Sequence, residues 1–311
     1  MTHDTDPAPF ALVMGESLID IVPDGAGTAE HPGGSPMNVA VGLARLGHPV
    51  TLATWFGPDP HGQAIRDHLT SSHVTVLAGS DGAAHTSRAQ ASFDEHGSAR
   101  YVFDLSWHLP VLPDDAAPLV VHTGSIGATL RPGADDVLAA VRRLRGRATI
   151  SFDPNIRPAI VGSPEAVLPL VDAFVANADI VKASDEDLAW LYPDTDPLVC
   201  AQSWLDAGPA LVVLTRGAAG TVAFTRTEAM QIAAPDVAVA DTVGAGDAFM
   251  AGLLHALWQG NLLGAARREQ LAALDNATLT GLLAIASTVA GITLSRPGAD
   301  PPWASELPSL R

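Results

Sequence analysis

Short, almost continuously apolar runs recur along the chain, each followed by a stretch with apolar residues at helical spacing. Residues 10–15, 50–55, 119–123, 148–153, 179–182 and 211–215 read as strands buried on both faces. Residues 36–46, 61–71, 133–145, 184–192, 196–207, 246–259 and 276–290 read as helices. This alternation predicts a mostly parallel sheet covered by helices, an α/β protein. Two places break the rhythm. Residues 19–30 run past the first strand into a stretch containing proline and glycine. Residues 88–94 and 99–104 alternate apolar and polar positions around Glu95-His96-Gly97, the pattern of an antiparallel hairpin. Such a hairpin is either an edge of the main sheet or a small separate flap, and periodicity does not choose between them.

Two glycine turns carry candidate chemistry. Gly33-Gly34-Ser35-Pro36-Met37-Asn38 leads into an apolar helical run ending at Gly47. Ser35 fits an N-cap, Pro36 the first helical position and Gly47 the residue past the helix end. Paired glycines let a ligand approach the backbone, and Asn38 in the first turn offers an amide to a hydroxyl. A tight turn with no ligand fits the same residues. The second turn, Asp241-Thr242-Val243-Gly244-Ala245-Gly246-Asp247-Ala248-Phe249, feeds the apolar segment 250–258. Gly244 and Gly246 build a nest of backbone N–H groups, and the following helix adds its positive end. Asp247 either merely complements that dipole or is a base placed beside an anion hole, as phosphoryl transfer to a hydroxyl requires. The dinucleotide fingerprint fails here, because Phe249 stands where its third glycine belongs. Nor does the chain contain a G-x-x-x-x-G-K-[ST] loop or an H-E-x-x-H pair.

Composition narrows the class. The 311 residues are 47% hydrophobic and 16% charged, ample for a large core. Lys+Arg 17 against Asp+Glu 34 leaves a net charge of −17. A surface this acidic repels phosphate backbones and anionic lipid, so neither nucleic acid nor membrane is expected as a partner. A small anionic substrate stays open, since amides and arginines hold one locally. Cys200 is the sole cysteine, which excludes an internal disulfide and a thiolate metal cluster. Residues 1–9 lack the positive and apolar regions of a secretory signal, and 279–294, broken by Thr280, Ser287, Thr288 and Thr293, reads as a buried helix short of a membrane span. A soluble cytoplasmic protein is expected.

The two turns together resemble the paired signatures of the ribokinase-type sugar kinases, the PfkB group. Asp153-Pro154-Asn155-Ile156-Arg157, Lys182-Ala183-Ser184-Asp185-Glu186-Asp187 and Thr215-Arg216-Gly217-Ala218-Ala219-Gly220 agree with that pattern in order. The likeness spans nearly the whole chain. It implies one kinase domain over residues 1–311, a three-layer α/β/α ribokinase-like fold with a small β-sheet lid made by 19–30 and 88–104. The implied reaction moves the γ-phosphoryl of ATP to a sugar hydroxyl. In that scheme Asp247 is the base, and Gly244, Ala245 and Gly246 with Asp247's own amide form the anion hole. Asp20, Gly33, Gly34 and Asn38 hold sugar hydroxyls. Lys182, Thr215, Arg216, Gly217 and Gly220, with Gly244, Gly246 and Ser287, line the ATP groove. Mg²⁺ rides on the phosphates with indirect, water-mediated help from Asp187, which stands where the family has the longer Glu. Asp241 marks a site for K⁺ beside a loop at 296–300. A lid strand can pair edge to edge in a homodimer or stay monomeric, so the oligomeric state stays open.

The same segments read most like fructokinases and next like 2-keto-3-deoxygluconate kinases. An acid sugar needs an arginine aimed at its carboxylate, and Arg88 and Arg157 are the candidates. Phe103 and Trp107 are candidates to stack on a sugar ring, or else core residues of the lid. A scaffold that binds sugar or nucleotide without turnover is the reading from another class.

Overall fold

A computed structural model describes residues 8–24, 27–93 and 99–308 of the chain. Thirteen strands lie among them: β1 (Ala11–Met14), β2 (Leu18–Asp24), β3 (Gly27–Gly33), β4 (Val50–Ala53), β5 (Thr75–Val76), β6 (Arg88–Phe93), β7 (Ala99–Asp104), β8 (Val120–Gly124), β9 (Thr149–Asp153), β10 (Ile180–Ser184), β11 (Leu211–Thr215), β12 (Thr221–Phe224) and β13 (Ala229–Ile232). Nine form a main sheet in the order β13-β12-β11-β10-β9-β8-β1-β4-β5. Its pairs from β5 to β11 are parallel, and β12 and β13 close one edge as an antiparallel hairpin.

The parallel strands are apolar throughout because each faces helices on both sides. Val13, Val120, Ile180 and Val213 pack toward the helices Ser35–Arg45, Pro60–Ser71, Ala245–Gln259 and Asn276–Leu294. Leu12, Met14, Val121, Phe152, Val181 and Val212 pack toward Gly133–Leu144, Pro164–Val175, Asp185–Leu191 and Pro197–Ala207. This is the three-layer α/β/α arrangement that the resemblance implies.

Several elements escape a pattern reading. Pro164–Val175 carries Pro169 in its interior, which breaks helical periodicity on paper. Its buried Val167, Leu170, Val171, Phe174 and Val175 hold it helical regardless. The strands β12 and β13, four residues each, form an antiparallel edge hairpin that departs from the strand–helix alternation. Asn276–Leu294 runs a turn beyond its expected end. By length and composition it is the one helix among the described residues that could cross a membrane. Here it lies against Ala245–Gln259, with Leu279, Leu283, Ala286 and Val289 in the core.

The two irregular segments pair with each other. β2–β3 and β6–β7 are antiparallel hairpins joined by parallel pairing of β2 with β6, a second sheet in the order β3-β2-β6-β7. The hairpin is therefore a separate element and not an edge of the main sheet. Its turn residues Glu95, His96 and Gly97 lie outside the described residues, as does most of the N-terminal stretch 1–9. Cross-strand register puts Asp20, His31, Ala89 and Phe103 on one face of this small sheet. Leu18, Ala89 and Ile126, with Phe103, Leu105, Leu130 and Ile160, form an apolar cluster that joins that face to the main body.

Candidate active site

The site is built at the start of the helix Ala245–Gln259. Gly244 precedes it in the left-handed region (φ 73°), and a Cβ there would sit 2.5 Å from Ala299 Cβ, so only glycine makes this turn. The first-turn amides of Gly246 and Asp247 have no carbonyl within the helix to serve, while that of Ala245 donates to Thr242 O at 3.3 Å. These amides and the helix dipole leave a positive corner. The Asp247 side chain is buried beside it, 6% exposed. Its Oδ1 accepts from Ser35 Oγ at 2.6 Å and its Oδ2 from Asn38 Nδ2 at 2.8 Å. The two glycine turns, some two hundred positions apart, thus meet on one carboxylate.

Two details of the first turn differ from expectation. Gly34, not Ser35, is the N-cap residue of Ser35–Arg45, and no side chain caps that helix. The Ser35 hydroxyl is turned to Asp247 instead, a bond to a charged acceptor that outweighs a neutral cap. Asn38 likewise gives its Nδ2 to Asp247 and keeps its carbonyl oxygen as an acceptor.

Asp20 stands beside this turn. A Cβ on Gly33 would fall 2.1 Å from Asp20 Oδ2, and one on Gly34 would fall 2.5 Å from the Glu16 carbonyl. Burial lifts the Asp20 carboxyl above its ordinary value, against the pull of Arg157 and His31. Arg157 is exposed at the start of the short helix Pro158–Val161 and makes no ion pair with the described residues. Phe103 is half-buried on the same face as Asp20.

Arg88 and Trp107 do not belong to this pocket. Register places Arg88 with Ile19 on the opposite face of the small sheet, where it pairs with Asp104 at 3.1 Å across β6 and β7. Trp107 is a core residue, 2% exposed, with Nε1 donating to Gly127 O at 3.0 Å.

Around the ATP-side motifs the placements vary. Lys182 is buried and does not line a groove; its ammonium pairs with Asp153 at 2.8 Å. Thr215 ends β11, with Oγ1 donating to Ala183 O at 3.3 Å. Arg216 donates to Ala219 O at 3.2 Å across the turn Gly217–Ala219, and Gly220 (φ 83°) leaves no room for a Cβ, 2.1 Å from Ile232 O. Ser287 lies half-buried on Asn276–Leu294.

Neither candidate metal residue is free. Asp187 closes a capping box: its Oδ2 accepts from Ser184 N (2.9 Å) and Ser184 Oγ (2.7 Å), and its Oδ1 from Ile156 N (2.7 Å). Among the described residues no group of three or more His, Cys, Asp or Glu is placed to hold a metal ion. These residues do not fit a protein-held Mg²⁺. Asp241 ties two loops together, accepting from Val243 N at 3.0 Å and Gly298 N at 2.9 Å, and these amides hold its carboxyl below the usual range.

Sequence reasoning overlooked Ser35 as a partner of Asp247, and also Glu16. Glu16 leaves β1 directly after Gly15, and its Oε2 accepts from Gly127 N at 2.7 Å. Burial pushes its carboxyl up to about 7. An acid placed between two apolar strands was the available signal.

A carboxylate beside unpaired helix-start amides is an arrangement that phosphoryl transfer to a hydroxyl requires. The chain belongs to the pfkB family of carbohydrate kinases, whose pattern matches residues 11–306. It is 36% identical over 256 residues to a fructokinase of Klebsiella pneumoniae, covering 79% of this chain and 83% of that one. With a fructokinase of Rhizobium leguminosarum bv. trifolii it shares 34% over 283 residues, 86% of this chain and 85% of the relative. Among solved structures, fructokinase from Xylella fastidiosa with bound ATP superposes with a TM-score of 0.80 at 26% identity, over 93% of each chain. Fructokinase from Vibrio cholerae O395 with fructose, ADP and calcium gives 0.78 at 28%, over 94% of this chain and 95% of that one. The family and fold expected from the two motifs are both borne out.

Proposed function

We propose that this chain phosphorylates fructose with ATP, using Asp247 as the base. The observation that carries the reading is the Asp247 carboxylate, held between Ser35 and Asn38 at the amide-leading end of a helix. Asp247 takes the proton of the attacking sugar hydroxyl. The amides of Gly246 and Asp247 face the charge that grows on the transferred group, while that of Ala245 is turned to Thr242 O, so positioning and electrostatics supply most of the acceleration. Asp20 with the Gly33–Gly34 turn holds sugar hydroxyls, and the small sheet lies over them as a lid. The turn from Thr215 to Gly220 and Ser287 side the nucleotide. Mg²⁺ enters as part of the substrate, carried by the ATP phosphates. The Asp241 loop beside Gly298 is the place for a K⁺ ion.

Electrostatics favour a neutral sugar over an acid one. Arg88 is paired on the wrong face, and the charge of Arg157 is felt by Asp20 and Glu16. Arg157, unpaired among the described residues, already acts on these two acids, and an anionic substrate would meet Asp20. ADP release measured over neutral hexoses and 2-keto-3-deoxygluconate tests the reading. Fructose is expected to give the highest kcat/KM. Preference for the acid sugar would overturn the substrate, and ATP-induced thermal shifts without ADP release from any sugar would overturn catalysis.

A further inference from the structure

Lys182 and Asp153 stand on neighbouring strands β10 and β9 beneath the start of the helix Ala245–Gln259. Their ion pair measures 2.8 Å, with side chains only 5% and 1% exposed. Lys182 Nζ also donates to Gly246 O at 3.4 Å, and a Cβ on Gly246 would lie 3.1 Å from that nitrogen. Helix carbonyls point away from the amide-leading end, so the ammonium stands behind the first turn and not in front of the amides. Three carboxylates, Asp153, Asp187 and Asp247, lie within its Coulombic reach.

As a stabilising device the pair is poor. Asp153 Oδ1 is buried without a hydrogen-bond partner among the described residues, and burial pushes its carboxyl up to about 6. Buried pairs with unmet bonding are commonly matched or bettered by apolar side chains of the same volume. Burial also works against the Lys182 ammonium, yet Asp153, Asp247 and Asp187 together outweigh it and hold the lysine above its ordinary value. The charge is thus kept, at a cost, one residue from the reacting carboxylate.

We infer that Lys182, held in place by Asp153, is a positioning residue for phosphoryl transfer: it anchors the first helical turn through Gly246 and supplies the positive charge behind Asp247. The inference rests on Asp247 as the base. Lys182→Met, Lys182→Arg and Asp153→Asn are compared with wild type in ADP-release kinetics across pH, alongside thermal denaturation with and without ATP. Removing a cation beside a carboxylate that must be ionised raises the pH at which it works. In Lys182→Met the acid limb of kcat/KM therefore moves up by about one pH unit and kcat at neutral pH falls about tenfold or more, with the KM for ATP within about threefold. Asp153→Asn, which leaves the ammonium unanchored, lowers kcat in the same way. Lys182→Arg, which keeps the charge, brings the limb back toward wild type.

A raised KM for ATP with the limb unmoved would make Lys182 a nucleotide contact and overturn the inference. So would a lower melting temperature with kcat and the limb unchanged, which marks a structural pair only. Should Lys182→Met fail to fold, the double variant Asp153→Asn/Lys182→Met leaves no buried charge unpaired and carries the same expected displacement. A wild type that releases no ADP with any sugar overturns the base assignment instead, so the two failures are told apart.

Discussion

Replacing Asp247 by asparagine separates shape from charge at the heart of the site. The carboxylate accepts two charge-assisted bonds, 2.6 Å from Ser35 Oγ and 2.8 Å from Asn38 Nδ2. Asparagine keeps the outline and one oxygen. Its nitrogen then faces either Ser35, whose hydroxyl rotates to accept, or Asn38, whose amide turns over. A bond to a charged group contributes about 1.5–3 kcal/mol and a neutral one about 0.5–1.5 kcal/mol, so about 2–3 kcal/mol of bonding is lost over the pair. Relief from burying a charge offsets part of this, and the variant folds. Catalysis has no such compensation, because an amide does not take a proton from the attacking hydroxyl. Loss of a positioned base lowers kcat by about 10²–10⁴, or about 2.7–5.4 kcal/mol at 1.36 kcal/mol per tenfold. The KM for fructose stays within about threefold, since Asp20 and the Gly33–Gly34 turn are untouched. Coupled ADP release at saturating ATP, with circular dichroism to confirm the fold, makes the measurement. A folded Asp247→Asn enzyme with kcat within about tenfold of wild type would refute the base assignment and the mechanism built on it.

Two further outcomes follow from the same geometry. Gly33→Ala places a methyl 2.1 Å from the present position of Asp20 Oδ2, which must swing aside. Losing one charged contact to the sugar raises the KM for fructose about tenfold or more with kcat little changed, and an unaltered KM would remove Asp20 from the sugar site. Glu16→Gln bears on stability. The folded carboxyl is lifted by burial from 4.5 to about 7, so the protonated form is favoured by folding. Its contribution is fully present below the unfolded value and is lost as pH rises through the folded one. Wild type therefore loses stability relative to Glu16→Gln between those two values, as denaturant midpoints at a series of pH settings would show. A difference that stays flat with pH would place Glu16 in a wetter setting than the structure gives it.

Most of the scaffold was legible because its physics is local. A strand covered on both faces must be apolar along its length, as in β1, β8 and β11, and helices between such strands show their period directly. The exceptions are equally physical. Pro169 hides a helix that buried Phe174 and its neighbours enforce, and β12 and β13 form an antiparallel edge hairpin outside the strand–helix alternation. In the site, Gly244 and Asp247 were readable because a nest and a helix start are made by consecutive residues.

Partnership was not readable in this way. Ser35 looks like a helix cap until the fold sets Asp247 opposite it, 212 positions along the chain. Lys182 matches a position lining the ATP groove until neighbouring strands set Asp153 at 2.8 Å and bury both. Arg88 looks like a carboxylate reader until the pleat of β6 turns it to the face opposite Asp20. The chain by itself determined the layers and the two glycine turns, since these follow from burial period and from dihedrals that neighbouring residues impose, and the class of chemistry was legible only through the family resemblance those turns carry. Which polar groups meet, and which charges are already answered, was decided only in the folded molecule. Hydrogen bonds and ion pairs act over a few ångströms of space, and separation along the chain carries no information about that distance.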